Sequence, residues 1–502
     1  MRNRLKMATA ASLTILMSAC ATGPDYQEPT LRLPGTFDSS LATKGQDEKS
    51  INTVIDDEAL AEWWTSFDDP ALDRLVDRAL AQNLDIAKAR ARVAQARGIL
   101  TIAKGELMPN IAAVAAGGYQ QASLEDQTGG LFRNGLAPRD TEFYQVGLDS
   151  SWELDIFGGR RRALESAQAD TEAAVDGVLA SRAIIAAETA RTYFNILALE
   201  ARISVAERSI KNAEDLYSLT SQRYEKGISP KLDVTQSQTL LSNAQALLPQ
   251  LKAGLVRART GLAVLTGGYL GDNEDLLTSD ATGLPKNLPI VDLLEAPVDV
   301  LRRRPDIRAA ERQLKARNAD IGVATAEYFP KVTFGGAIGY SALSVDNLVG
   351  SDAVQYSIGP RISWRILDRA RIAGQIRSAK GRLAEQLSTY QQTAVTAVAE
   401  VETAIAAYDN SRRTEAKLNV SLNAARETRD LSRRAYDGGI VSFLQVIDAQ
   451  RQLDIADDQL VAARLRTAEN VVALYKSLGG GWSEADRLNV IQKVARTFED
   501  KK

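Results

Sequence analysis

Residues 151–268 align with 363–480 at one fixed offset, with the same residues recurring at key places, and this repeat narrows the possible folds more than anything else in the chain. Tyr224, Gly227, Ile228, Leu232, Val234 and Gln238 match Tyr436, Gly439, Ile440, Leu444, Val446 and Gln450. The same shift of about 212 residues pairs Ser151-Trp152 with Ser363-Trp364, Glu188 with Glu400, and Gly267-Gly268 with Gly479-Gly480. A tandem unit this long, holding both strands and helices, points to a symmetric assembly rather than to a pocket enzyme.

Composition removes several function classes. Lys and Arg total 61 against 64 Asp and Glu, spread along helical segments, so no basic stripe for nucleic acid is present. Histidine is absent and Cys20 is the only cysteine, which excludes imidazole or thiolate metal sites, Ser-His-Asp triads and disulfides. There is no GxxxxGK[ST] loop for nucleotide hydrolysis. Glu400 and Glu402, two apart on a helix, face different ways, which favours interhelix pairing over catalysis. The expectation is no enzyme, no metal and no cofactor.

Residues 1–19 read as an export signal: Arg2, Arg4 and Lys6, then an apolar core from Met7 to Met17 too short to span a bilayer. Residues 20–62 read as an extended tail rich in Pro, Gly, Asp and Ser. Asp69 and Pro70 suit a helix entry, and Leu72, Leu75, Val76, Ala79 and Leu80 follow at helical spacing. That helix is expected to run to about Leu107, with Pro109 ending it.

Periodicity then switches from helix to strand. Tyr144, Val146, Leu148, Trp152, Leu154 and Ile156 alternate with polar or small residues, predicting strands at about 110–124 and 142–156. The second copy predicts strands at about 331–343 and 353–367. A soluble sandwich and a lipid-facing barrel both produce such alternation. Hairpins of long helices are expected at 158–267 and 369–478, the first arm lacking proline and spanning about 100 Å at 1.5 Å per residue. Their Ala and Ser content permits close helix approach but gives each hairpin little core. Four strands cannot close a barrel, and open edges in lipid leave backbone groups unpaired at several kcal/mol each. Three chains would supply twelve strands and enclose an aqueous bore, where two would close only a filled barrel.

Leu16-Met17-Ser18-Ala19-Cys20 resembles a bacterial lipobox, with Gly23-Pro24-Asp25-Tyr26 after it. With these go Trp64, Phe67 and Asp69-Pro70, Ser151-Trp152-Glu153-Leu154-Asp155-Ile156-Phe157-Gly158, Leu301-Arg302-Arg303-Arg304-Pro305-Asp306-Ile307, Tyr328-Phe329-Pro330-Lys331 and Leu478-Gly479-Gly480-Gly481-Trp482. Together they resemble the TolC-like outer-membrane factors, in the NodT-type lipoprotein branch of tripartite efflux systems.

The resemblance implies a mainly α fold with a membrane β portion: a homotrimer whose 12-stranded β-barrel continues into a 12-helix α-barrel. Residues 63–268 and 301–481 would be its two structural repeats, 269–300 a linker with an equatorial segment, and 482–502 an equatorial tail. Cys20 would carry diacylglycerol and an N-acyl chain, anchoring the protein to the bacterial outer membrane. The implied activity is passive exit of small toxic compounds, driven by an inner-membrane pump of the RND type through a periplasmic adaptor. Polypeptide export by a type I secretion system and a non-channel structural lipoprotein are the alternatives.

At the periplasmic end Leu444 would form an apolar constriction and Asp448, one turn on, a charged ring, with Tyr436 beside them. Asp437 stands where the family often has a basic residue after the tip tyrosine. Gly227, Ile228, Leu232, Gly439 and Ile440 would face the adaptor, while Trp152 and Trp364 would be aromatic anchors at the membrane interface. Arg302, Arg303 and Arg304 are expected in belt salt bridges.

Overall fold

A computed structural model describes residues 21–31, 34, 37, 57–277, 283–285, 288, 300 and 302–499. The signal segment 1–19, Cys20 and most of the 269–300 linker lie outside the described residues. Apart from helices and 3-10 turns of three to five residues, the described elements are α1 (Pro70–Gln82), α2 (Leu84–Gly105), β1 (Asn110–Gln121), β2 (Asp140–Leu154), α3 (Gly159–Glu225) and α4 (Lys231–Leu265), followed by α5 (Pro305–Ala326), β3 (Lys331–Ala342), β4 (Val354–Ser363), α6 (Arg369–Asp437), α7 (Phe443–Ser477) and α8 (Glu484–Glu499).

The chain divides into two compact units that cut across the repeat. One gathers Met1–Pro29 (described from residue 21), Gln95–Ala173 and Ala310–Thr389; the other gathers Thr30–Ala94, Ala174–Ala309 and Tyr390–Lys502. Each unit takes matching pieces from both copies.

The first unit is built on one antiparallel sheet of order β1-β2-β3-β4. Its register preserves the alternation read in each strand. Ala113, Leu148, Ile338 and Tyr356 form one rung, as do Ala115, Val146, Tyr340 and Val354. The opposite face carries Ala112, Asp149, Ala337 and Ser357. The apolar face has no covering layer: Tyr356 is 78% and Ile358 73% exposed. Such a face is stable only against lipid or another apolar partner. No helix among the described residues is long and apolar enough to cross a membrane.

The second unit holds the aromatic core. Trp63, fully buried, stacks on Tyr475 at 5.4 Å and meets Trp64 edge-on, while Phe67 lies 5.0 Å from Phe194. Asp69 caps α1 by accepting from Ala71 N and Leu72 N, and Pro70 takes the first turn. Leu72, Leu75, Val76 and Ala79 form the buried stripe of α1.

The structure departs from the expected single helix over 70–107, which breaks at Asn83. The Asn83 side chain accepts from Asp85 N and Ile86 N to start α2 and donates to Leu265 O at 2.9 Å. A short polar side chain thus ends one helix and caps the next. The helix arms α3 and α6 run 67 and 69 residues. Gly177 does not interrupt α3. β4 stops at Ser363, so Trp364 and Ile366 fall just beyond the sheet.

Candidate functional site

The two interhelical tips close identically. Gly227 and Gly439 take φ of 71° and 74°, the left-handed region that glycine occupies without strain. Ile228 N donates to Arg223 O and Gly227 N to Tyr224 O; Ile440 N donates to Ala435 O and Gly439 N to Tyr436 O. Each set is a Schellman closure satisfying carbonyls of the last helical turn. It leaves the following isoleucine outside: Ile228 is 64% and Ile440 81% exposed, and Leu232 is 61%.

Below the second tip α7 separates its faces. Phe443, Val446 and Ile447 bury with Leu216 of α3, while Leu444 and Asp448 share the exposed face one turn apart. Those two line a groove of about 610 Å³ with Arg202 and Ser209 of α3, Gln236 of α4 and Arg451. Tyr436 is placed differently. Its ring packs on Phe443 at 5.4 Å, and the Arg223 guanidinium sits 4.8 Å above it. So Asp437 follows the tyrosine in sequence, yet a cation reaches that ring from the other copy's tip.

A row of ionic contacts clasps α7 further along. Arg202 binds Asp458 through two nitrogens, at 2.6 and 3.1 Å. Ser209 donates to Asp454 at 2.6 Å, and Gln450 donates to the same oxygen at 2.9 Å. Arg208 and Arg426 approach Asp457 at 3.4 and 3.5 Å. Burial pushes the Asp454 carboxyl above its usual range, against the lowering by Ser209 and Gln450. Reading the tips alone misses this clasp. The signal was in the duplication: Asp448, Asp454, Asp457 and Asp458 stand where the first copy has Gln236, Ser242, Gln245 and Ala246.

In the sheet unit the two tryptophans have matching roles. Trp152 Nε1 donates to Leu107 O and Trp364 Nε1 to Tyr328 O, both at 3.0 Å. Each indole ties the end of one strand to the helix end that precedes the neighbouring strand. Both remain partly exposed, at 39% and 56%. Arg160 bridges Glu106 and Glu153 there, and Glu327 pairs with Lys331 and Arg365.

Among the three consecutive arginines, Arg304 is buried. It binds Asp306 at 2.7 Å, Glu400 at 2.8 Å and Ser477 O at 3.1 Å. Burial alone would lower its proton affinity, but the two carboxylates raise it. Glu400 therefore works as an interhelix partner. Among the described residues no group of three or more carboxylate or cysteine side chains is placed to hold a metal ion.

The family model described as "Outer membrane efflux protein" matches residues 75–268 and 296–480, one stretch in each copy. Nodulation protein T of Rhizobium leguminosarum bv. trifolii is 28% identical over 481 residues, covering 96% of this chain and 98% of its own. Solvent efflux pump outer membrane protein SrpC of Pseudomonas putida is 31% identical over 482 residues, 93% of this chain and 97% of its own. The solved structure of the outer-membrane channel OprN superposes with a TM-score of 0.81 at 32% identity, covering 92% of this chain and all of that one.

Proposed function

This chain belongs to the outer membrane efflux protein family, and from that membership we propose that three copies of it close into one exit duct. It is an outer-membrane efflux channel with the TolC-like fold. The observation that carries the trimer is the four-stranded sheet whose apolar face is uncovered. Among the described residues β1 pairs only with β2 and β4 only with β3. In lipid those edges must be closed by other copies. Three copies give twelve strands with the polar, Gly- and Ser-rich face turned to a wet bore.

In this reading the chain has two structural repeats, 63–268 and 301–481, and their hairpins assemble into a twelve-helix barrel. Cys20 carries the lipid anchor. Leu444 and Asp448 ring the closed end, and Tyr436, the third gate residue, is held against the buried side of the same helix by Phe443 and Arg223. The exposed tip residues Gly227, Ile228, Leu232, Gly439 and Ile440 meet the periplasmic adaptor, and Trp152 and Trp364 mark the membrane interface. An inner-membrane pump of the RND type supplies the energy. The cargo is small toxic molecules, a reading supported by the solvent efflux pump named for SrpC.

Purified protein reconstituted in planar bilayers tests the duct. Heat-dissociable trimers that conduct ions are expected. A detergent-stable monomer without conductance overturns the reading.

A further inference from the structure

The first described residues of the chain are seated in a slot made for them. Thr22 N donates to Phe157 O at 3.0 Å, and the Thr22 hydroxyl lies within 3.0 Å of Phe157 O and 3.2 Å of Gly322 O. Arg162 Nε donates to Thr22 O at 3.1 Å, and its Nη2 reaches Asp25 at 2.6 Å. Asn318 donates to Pro24 O at 2.9 Å, and the Tyr26 hydroxyl reaches Glu311 at 3.4 Å. Arg162 and Asn318 are 6% and 7% exposed, so two buried polar side chains address this one segment.

Three glycines from separate stretches let backbone touch backbone. A Cβ on Gly23 would come within 2.5 Å of Gly322 Cα. One on Gly322 would come within 2.6 Å of Thr22 O, and one on Gly158 within 2.8 Å of Ala21 Cα. No side chain fits at any of the three without displacing main chain.

The slot joins the two copies. Phe157, Gly158 and Arg162 come from the first; Glu311, Asn318 and Gly322 come from the second. Among the described residues it also occurs once. Helix α2 repeats as α5 with an offset of about 221 residues, and there Arg90, Arg97 and Thr101 replace Glu311, Asn318 and Gly322. On the other side Ala370 and Gly374 replace Gly158 and Arg162. The side chains that make the slot are thus not repeated in the other copy.

We propose that Ala21–Tyr26 is a strap and that Gly158, Arg162, Asn318 and Gly322 form its built-in receptor, which clamps the two repeats together where strand passes into helix. Its ligand class is an extended peptide with a small residue, then threonine, then glycine. The placement deepens the lipoprotein reading and rests on it for one consequence. Ala21, the residue that would follow the lipidated cysteine, lies against Gly158, next in sequence to Phe157, which stacks on Phe329 at 4.6 Å just before β3. The slot thereby holds the first residue after the proposed anchor.

Hydrogen exchange of the purified full-length protein, followed on peptides covering Thr22, tests the slot. The Thr22 amide is expected to exchange at least about tenfold more slowly in the wild type than in Gly322→Val. Thr22→Val and Asp25→Ala, which leave the receptor untouched, are expected to speed exchange as well, and Gly374→Val to leave it unchanged. Equal exchange at Thr22 in the wild type, Gly322→Val and Thr22→Val overturns the slot. Incorporation of labelled palmitate at Cys20 is scored separately. A protected Thr22 without palmitate sinks the anchor reading alone, whereas palmitate with an unprotected Thr22 sinks the slot alone.

Discussion

Asp69 shows how much one side chain can hold. Its Oδ1 caps α1, and its Oδ2 accepts the Tyr193 hydroxyl at 2.8 Å inside the aromatic core. Asp69→Ala removes a helix cap, about 1 kcal/mol, and takes from the buried Tyr193 hydroxyl its 2.8 Å acceptor, about 1 kcal/mol more. The dissociation temperature of the purified protein should fall clearly, and by less in Tyr193→Phe, which keeps the helix cap and takes only the hydroxyl donor from Asp69 Oδ2. Glycines give a second contrast. Gly439 has a positive φ but open space around its Cβ direction, so Gly439→Ala costs only the left-handed backbone, about 1 kcal/mol. A Cβ on Gly480 would lie 2.9 Å from Leu60 O and 3.0 Å from both Trp63 Cδ1 and Tyr475 O. Gly480→Ala is therefore the more damaging change, measured by the same dissociation temperature. Asp69-Pro70 was readable as a helix entry because capping is local. Its bond to Tyr193 was not, since 124 residues separate the two.

Among the elements, α7 differs from its copy α4 in charge, with Asp448, Asp454, Asp457 and Asp458 in place of uncharged residues. Because burial raises the Asp454 carboxyl, the folded protein keeps a proton that the unfolded chain has already lost at the same pH. Its contribution to stability is therefore largest in acid. It declines as pH rises from the ordinary carboxylate value through the raised one, and is level above that. Asp454→Asn keeps an acceptor for Ser209 and removes this step. The variant should hold α3 against α7 more firmly than wild type near neutral pH, with the advantage vanishing in acid. Amide exchange along 202–209 and 450–458 at several pH values checks this, and a variant that loosens these helices at neutral pH contradicts it. The strands, the long hairpins and the turn glycines were legible because periods of 2 and 3.6 and a repeated glycine are written in the chain itself. The break at Asn83 was not, because a helix-compatible run on both sides hides a side chain that bonds Leu265. Arg223 over Tyr436 was equally hidden, since it comes from the opposite tip.

For the whole molecule the deciding fact is an unfinished sheet. Alternation alone left sandwich and barrel equally open; the register decides, because it gathers every apolar rung on one uncovered face. The number of copies is written in no single residue. It follows from four strands per chain and the size a wet bore requires. That inference gives a geometric test. β1 and β4 of one chain stand three strand spacings apart, about 14 Å, twice the Cα separation of about 7 Å that a disulfide tolerates. Cysteine at Ala113 of β1 combined with cysteine at Val354, Tyr356 or Ile358 of β4 thus cannot close within a chain. If identical copies complete the ring, at least one of these pairs should give a covalent trimer on non-reducing denaturing gels of oxidised membranes, and each single substitution should run as monomer after heating. Absence of any cross-linked species across the set would mean that β1 and β4 do not meet between copies, and the duct would lose its wall.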